Sequence, residues 1–174
     1  MKSSDIEIRR LAPDDAAAYR DLRLRCLKEH PDAFTSSYEE DAQKDVAASA
    51  KRLAPEGADA VFGAFAEGTL AGIVGLAREP RAKNRHKGTV FGMYVAPEHG
   101  RRRVGARLLW HLIDVARQTP GIEQLVLTVT DTNAAARTLY EKAGFRSFGT
   151  EPRAIRVGGA YYGKNHMILF LAQP

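Results

Sequence analysis

The segment of residues 91–145 constrains the fold more than any other part of this 174-residue chain. It reads in order as a strand, a turn that bears arginines and glycines, an amphipathic helix, a buried-type strand and a short helix that Gly144 ends. Backbone N–H groups at such a strand–turn–helix junction have no partners and favour an anion. The segment therefore predicts an α/β domain in which the turn holds a phosphate group.

Weaker patterns on either side complete the predicted order of elements. Alternating and apolar runs indicate strands, and helix start and stop signals indicate helices. Strands are predicted at residues 6–11, 60–65, 70–76, 89–96, 125–130, 145–157 and 161–169, and helices from Pro13, at about 38–53, after Gly105 and at 133–143. This order predicts one mixed α/β domain over residues 1–174, with a central sheet of about six to seven strands flanked by about four helices.

The composition, with 44% hydrophobic and 27% charged residues, is ordinary for a soluble globular protein. Cys26 is the only cysteine, so no intrachain disulfide can form and a reducing compartment is favoured. The first five residues precede no apolar run, and no stretch approaches the ~18 apolar residues of a membrane helix. We therefore expect a cytoplasmic protein that has no membrane partner.

The net charge of +5 is unevenly distributed along the chain. Residues 78–117 hold ten Lys/Arg against three acids, whereas residues 1–50 hold eleven acids against eight bases. A local positive field favours an anionic ligand, although a solvated basic surface is the simpler alternative. No aromatic stacking platform or helix-turn-helix pattern accompanies the bases, so no nucleic-acid partner is expected. The five histidines lack metal-ligand spacing, and no metal is expected.

Two common phosphate motifs fail at the turn Gly100-Arg101-Arg102-Arg103-Val104-Gly105. The glycine spacing is that of a P-loop, but Ala106-Arg107 stands where that motif requires Lys-Ser/Thr. The dinucleotide fingerprint Gly-x-Gly-x-x-Gly and its early βαβ unit are also absent. A third kind of turn therefore has to be considered.

The run Met93-Tyr94-Val95-Ala96-Pro97, followed by Val104-Gly105, resembles the coenzyme A turn of the GCN5-related N-acetyltransferases (GNAT superfamily). The signature there is Arg/Gln-x-x-Gly-x-Gly/Ala after a strand that ends in a Val-x-Pro-like step. Gly100 replaces the expected Arg/Gln and Arg103 the first glycine, so a shifted register with Arg101 or Arg102 facing the phosphate fits as well. The resemblance implies acetyl-CoA as donor, bound by Met93, Tyr94, Val95, Arg101, Arg102, Arg103, Val104, Gly105, Ala106, Asn133 and Ala136.

The run Leu139-Tyr140-Glu141-Lys142-x-Gly144-Phe145 is similar to the superfamily's Leu-Tyr-x-x-x-Gly-Phe. By this resemblance Tyr140 is the general acid that protonates the departing CoA thiolate, a role that a phenol can fill. A core tyrosine with a hydrogen-bonded hydroxyl is the structural alternative. Asn133 is expected to cap the short helix, and this role is compatible with a cofactor contact.

The resemblance implies direct acetyl transfer to a primary amine of a small molecule or of a protein or peptide. Phe34, Tyr38 and Glu39 are the expected acceptor contacts. No general base is assigned, because strand 89–96 contains no carboxylate. This absence leaves a non-catalytic acyl-CoA-binding sensor as the alternative function. The candidates for a base that acts through water, none of which is assigned, are Glu98, His86, Glu79 and the Glu39-Glu40 pair.

A homodimer is common in the superfamily, although no sequence feature indicates one.

Overall fold

The structure, a computed structural model, describes residues 6–57 and 59–171, except for the side chain of Arg101. It confirms the predicted α/β fold, with seven strands in one mixed sheet. Short 3-10 segments lie at Pro13–Asp15, Ala82–Asn84 and Pro97–Arg102. In chain order the other elements are β1 (Ile6–Arg10), α1 (Ala16–Glu29), α2 (Tyr38–Ala42), α3 (Val46–Leu53), β2 (Asp59–Ala66), β3 (Thr69–Arg78), β4 (Lys87–Val95), α4 (Val104–Gln118), β5 (Gln124–Thr130), α5 (Ala134–Lys142), β6 (Arg146–Val157) and β7 (Ala160–Phe170).

The strand order is β1-β2-β3-β4-β5-β7-β6, and within it only β4 and β5 pair in parallel. Their pairing runs from Lys87–Gln124 to Thr89–Val126 and then stops. Beyond that point β5 keeps its partner β7 as far as Thr130–Lys164, while β4 keeps its partner β3. The two parallel strands therefore separate after Thr89 and leave a gap in the middle of the sheet.

Helices cover both faces of the sheet, because apolar residues alternate along the central strands. Phe62 and Ala64 of β2 share one core cluster with α4 and with Tyr140 of α5. Their neighbour Val61 belongs to a second cluster with residues of α1 and α3. We call these two sides the α4–α5 face and the α1–α3 face.

The sequence prediction of one helix at residues 38–53 is wrong, because two helices occupy this stretch. Ser37 caps α2 through a capping box, in which its hydroxyl accepts the Glu40 N–H. Asp45 then starts α3, since its carboxylate accepts the Ala48 N–H at 2.9 Å while its own backbone is extended. A second cap inside an alanine-rich run thus divides the helix.

The described part of the chain contains five α-helices, against about four expected, while every strand lies within two residues of its predicted bounds. Gly144 ends α5 with a φ of 99°, as predicted for a helix stop. None of the helices within residues 6–57 and 59–171 is long and apolar enough to cross a membrane.

Candidate active site

A cavity of about 710 Å³ occupies the gap between β4 and β5. Its lining includes Phe34 and Phe91, which pack with the core of the α1–α3 face. It also includes Ala136 and Tyr140, which pack with the core of the α4–α5 face. The cavity is therefore a passage through the sheet, in which two molecules that approach from opposite faces can meet.

The edge of β4 that faces this gap carries main-chain groups without a strand partner. Residues 90–95 have no β5 partner in the described sheet. On the β3 side the pairing passes from Ile73–Tyr94 to Gly75–Phe91, so Gly92 and Met93 together oppose Val74. Gly92 accommodates this bulge with a φ of 62°. A bulge leaves main-chain groups unpaired, and an unpaired N–H at this gap can bind an oxygen that becomes negative during a reaction.

The start of α4 provides an anion site at the end of β4. The Arg107 N–H bonds to the Arg103 carbonyl at 3.1 Å, which marks the first turn of the helix. The N–H groups of Val104, Gly105 and Ala106 precede this bond and so have no acceptor within the helix. The side chain of the N-cap residue, Arg103, makes no capping hydrogen bond here. Three backbone donors and the positive end of the helix dipole therefore remain for an anionic ligand.

Arg103 and Gly105 differ in what the backbone demands of them. Arg103 is left-handed, with φ 55° and ψ 25°, a conformation that favours glycine. This explains physically why the related signature carries a glycine at this position. Gly105 is helical, and a Cβ built on it would lie at an ordinary 3.6 Å from Leu139 and Val95. Protein packing alone therefore does not require glycine at position 105.

The arginines near this turn have different surroundings. Arg102 is half-buried and Arg103 is exposed, whereas the side chain of Arg101 lies outside the described part of the structure. Arg107 is committed elsewhere, because its Nη2 donates to the Ile6 carbonyl of β1 at 2.7 Å. The register of the phosphate-facing arginines thus stays a prediction for Arg101, Arg102 and Arg103.

Tyr140 lies at the cavity wall on the α4–α5 face. Its ring packs edge-on against Phe145, with centroids 5.9 Å apart, and only 7% of the residue is exposed. Burial raises the pKa of Tyr140 to about 12, so the phenol stays protonated at neutral pH. Within the described ranges no group is hydrogen-bonded to the hydroxyl. Tyr140 therefore holds an uncommitted proton beside the cavity.

The other predicted site residues divide into two groups. Met93, Asn133, Ala136 and Phe34 line the cavity together with Tyr140. As expected, Asn133 also caps α5, since its Oδ1 accepts the Ala136 N–H at 3.1 Å.

Tyr94, Val95, Tyr38 and Glu39 do not line the cavity with their side chains. The Tyr94 hydroxyl instead donates to Glu29 at 2.5 Å, and burial together with this hydrogen bond raises the pKa of Tyr94. Tyr38 and Glu39 are exposed at the start of α2. Tyr94 pairs with Ile73 of β3, and its contact with the cofactor stays a prediction.

Among the proposed general bases, all of which the structure describes, only Glu79 lines the cavity. It lies on the α1–α3 face with Phe91 and accepts a hydrogen bond from the Thr89 hydroxyl at 3.4 Å. Glu98 is instead paired with Arg25 at 2.7 Å, outside the cavity. No cluster of three or more potential metal ligands occurs in the described ranges.

Lys164 is a buried residue at the cavity that the sequence did not reveal. Its Nζ donates to the Thr130 hydroxyl and to the Ala33 carbonyl, both at 2.9 Å, and Thr130 donates in turn to the Asp32 carbonyl. Burial lowers the pKa of Lys164. These bonds fasten the loop that carries Phe34 to the end of β5 and to the middle of β7. The only sequence feature that could have indicated this role is a lysine inside a predicted strand.

Comparison with known proteins agrees with this architecture. Residues 20–145 match the model of the Acetyltransferase (GNAT) family. A GNAT-family acetyltransferase from Streptococcus pneumoniae is 25% identical with a TM-score of 0.80, over 97% of this chain and 100% of that chain. A putative acetyltransferase from Salmonella typhimurium, solved with its cofactor acetyl-CoA, shares the fold at 23% identity with a TM-score of 0.80, over 98% of this chain and 96% of that chain.

A curated relative matches only part of this chain. The [ribosomal protein bS18]-alanine N-acetyltransferase of Salmonella typhimurium is 47% identical over 57 residues, which is 33% of this chain and 38% of that protein. The family match, by contrast, includes β4, the α4 turn and Tyr140. Since this match covers more than half of the residues, this chain belongs to the acetyltransferase (GNAT) family.

Proposed function

We propose that this protein transfers the acetyl group of acetyl-CoA directly to a primary amine of a small molecule or of a protein or peptide. The observation that carries the proposal is the passage through the sheet between β4 and β5. The donor enters from the α4–α5 face and the amine from the α1–α3 face. Direct transfer is favoured because the lone cysteine, Cys26, is fully buried and burial raises its pKa to about 12, which makes it a poor nucleophile.

The residues on the page fit acetyl-CoA as the donor. The free N–H groups of Val104, Gly105 and Ala106 suit its pyrophosphate. The unpaired edge of β4 offers main-chain donors and acceptors to the amide groups of its pantetheine arm. Acetyl-CoA supplies the acetyl group as a thioester, which is reactive toward amines. We keep Met93, Asn133 and Ala136 as cofactor contacts because they line the same passage.

In the proposed reaction the amine nitrogen bonds to the thioester carbonyl carbon, and the carbon–sulfur bond then breaks. A main-chain N–H at the Gly92–Met93 bulge holds the carbonyl oxygen while it carries negative charge. Tyr140 gives its proton to the departing sulfur, since its pKa of about 12 keeps the hydroxyl protonated. Glu79 takes one proton from the incoming ammonium through water, because it lines the passage on the acceptor face. The nitrogen loses its second proton after it has bonded to the carbonyl carbon, and this proton restores the Tyr140 hydroxyl.

The position of Glu79 bears on the alternative function. A non-catalytic acyl-CoA sensor was favoured only by the absence of a carboxylate from the strand now described as β4. The carboxylate of Glu79, on the loop after β3, lies at the cavity and removes that argument. The relatives that act on an alanine of ribosomal protein bS18 support an amine acceptor, although they match a third of this chain.

We further propose that the protein acts in the cytoplasm.

Thermal unfolding with acetyl-CoA, with ATP and NAD as controls, tests the proposal. A ligand at ~100 times its dissociation constant adds ~2.7 kcal/mol to the free energy of unfolding and raises the midpoint by several degrees. We expect this shift with acetyl-CoA alone. An equal shift with ATP, or no shift with any of the three, would contradict the donor assignment.

A further inference from the structure

Two arginines on the α1–α3 face line the cavity near the β4 bulge, and the proposed chemistry does not use them. Arg23 comes from α1 and Arg52 from the last turn of α3. Between them in the lining lie Phe91 and Gly92 of β4. The phosphate-binding start of α4 packs with the other face of the sheet. These two positive charges are therefore available to the acceptor.

Arg23 is held rigidly at one edge of its guanidinium group. Its Nε donates to Asp41 at 2.9 Å, and the two side chains are only 12% and 11% exposed. Asp41 also bonds Lys44, and although burial alone would raise the pKa of Asp41, these two cations hold it below its usual range. One carboxylate thus serves two cations, which leaves local positive charge.

The Nη1 atom of Arg23 lies beside the β4 bulge. A Cβ built on Gly92 would lie 3.6 Å from Nη1 of Arg23, so this nitrogen lies against the bulge. Neither Nη atom of Arg23 has a hydrogen-bond acceptor within residues 6–57 and 59–171. A planar group with free donors beside a bulge of this kind matches the geometry of a carboxylate.

Arg52 is positioned by an aromatic ring rather than by a strong ion pair. Its Cζ lies 4.9 Å from the centroid of Phe91, and its hydrogen bond to Asp59 is long at 3.4 Å. The Phe91 ring in turn covers Gly75, where a Cβ would come within 2.2 Å of the ring. Because Gly75 has no side chain, the Phe91 ring can pack directly against the backbone of β3. The ring in turn holds the guanidinium of Arg52 at the cavity wall.

The charges of the cavity lining favour an anion on this side. Its basic side chains are Arg23, Arg52, Lys87 and Lys164, and its acidic side chains are Asp59 and Glu79. In an α-amino acid the carboxylate is attached to the same carbon as the amine. An amine that reacts beside the bulge therefore brings its carboxylate within reach of Arg23.

We propose that the acceptor carries a carboxylate next to its amine, as a free α-amino acid does, and that Arg23 and Arg52 bind this carboxylate. The inference rests on the proposed acetyl transfer and chooses a small molecule over a protein N-terminus, where an uncharged amide occupies the same position.

Acetylation of matched acceptor pairs tests this inference. Each common L-amino acid is compared with its carboxamide, which keeps the amine but loses the charge. Rates are expressed per unprotonated amine, because amidation also lowers the pKa of the amine. We expect kcat/KM for the acid to exceed that for the amide by ~10-fold or more, since hydrogen bonds to charged groups contribute ~1.5–3 kcal/mol.

Variants assign the effect to the arginines. We expect Arg52→Met to lower kcat/KM for the acid on the order of 10–100-fold and for the amide by less than ~3-fold. Arg52→Lys, which keeps the charge, should restore part of the lost kcat/KM for the acid. Arg23→Lys should keep the ion pair with Asp41 but lose the planar pair of N–H donors that binds a carboxylate. Arg25→Met is the matched control, because Arg25 lies on α1 and pairs with Glu98 outside the cavity.

The outcomes separate the two proposals. If acetyl-CoA shifts the unfolding midpoint but amides or peptide amines are acetylated as well as free acids, the carboxylate inference is overturned and the proposed function stands. If acetyl-CoA binds but none of the amino acids is acetylated, the carboxylate inference is likewise overturned. If acetyl-CoA does not bind, the proposed function itself fails.

Discussion

The two faces of the passage are built in different ways. On the α4–α5 face the contacts available to a ligand are mostly main-chain groups, namely the N–H groups that start α4 and the free edge of β4. On the α1–α3 face the available contacts are side chains from distant parts of the sequence. Asp41 positions Arg23, Phe91 positions Arg52, and Lys164 holds the loop of Phe34.

This difference explains how one face can stay constant while the other changes. A backbone site tolerates substitutions that keep the turn, as the left-handed Arg103 shows at a position where the signature has glycine. A side-chain site depends on the identity of each partner. The donor side should therefore be shared across the family, whereas the acceptor side should be particular to this chain.

Removal of the Tyr140 hydroxyl, which lies where the two faces meet, should have the largest effect on activity. Tyr140→Phe keeps the packing on Phe145 and removes only the proton donor. We expect kcat to fall ~10²–10⁴-fold, the usual contribution of a general acid, while acetyl-CoA affinity changes by less than ~3-fold. Steady-state kinetics and a binding titration measure the two quantities. Tyr19→Phe, a buried tyrosine of α1 outside the cavity, is the control, and unchanged turnover in Tyr140→Phe would refute the role.

Gly75→Ala is a perturbation confined to the acceptor face. The new Cβ would overlap the Phe91 ring, so the ring and the guanidinium of Arg52 above it must move. We expect a loss of ~1–3 kcal/mol in the free energy of unfolding, measured in urea, together with a higher acceptor KM. Acetyl-CoA affinity should hold. Gly149→Ala, where a Cβ meets nothing within 4 Å, is the matched control, and an equal loss of acetyl-CoA affinity would mean that the faces are not independent.

The same contrast decided how much the sequence could predict. The strand–turn–helix order before α4, the Asn133 cap and the Gly144 stop are local patterns, and residue type and order predict each of them. The break between α2 and α3 was missed because alanine propensity outweighed a cap that a single residue, Asp45, provides. The gap after Thr89 could be expected only from the resemblance, since loss of pairing leaves no mark in an apolar run.

The acceptor face was the part that the sequence could not give. Arg23 and Arg52 are 29 positions apart, and no sequence motif connects them. They line one cavity, Arg23 beside Gly92 and Arg52 over the Phe91 ring, because α1 and α3 pack on the same face of the sheet. Tyr38 and Glu39, predicted from their chemistry, are exposed at the start of α2 and lie outside the cavity lining.

Lys164→Met should loosen the acceptor face by a smaller amount. The Ala33 carbonyl and the Thr130 hydroxyl lose a donor, and relief from burying the ammonium partly offsets this, so we expect ~1–2 kcal/mol of destabilisation at neutral pH. Acceptor KM should rise while acetyl-CoA affinity stays constant. Lys142→Met, at an exposed position of α5, is the control.

The pH dependence of this variant has a definite sign. Burial lowers the pKa of Lys164 in the folded protein below its unfolded value near ~10.4, so between those values the unfolded chain binds more protons. The free energy of unfolding of the wild type should therefore rise with pH through that window relative to Lys164→Met. Parallel curves would show that the ammonium is not desolvated.

The smallest effect on stability, and of opposite sign, is expected on the donor face. Gly105→Ala adds a Cβ at an ordinary 3.6 Å from Leu139 and Val95, and alanine is favoured over glycine inside a helix, so unfolding should cost up to ~1 kcal/mol more. Acetyl-CoA should nevertheless bind more weakly, because the methyl group stands where the backbone must approach the pyrophosphate. Urea unfolding and a titration with acetyl-CoA give both values for one protein. A gain in stability combined with a loss of affinity would show that glycine at position 105 serves the ligand and not the fold, whereas undiminished affinity would place the pyrophosphate elsewhere on α4.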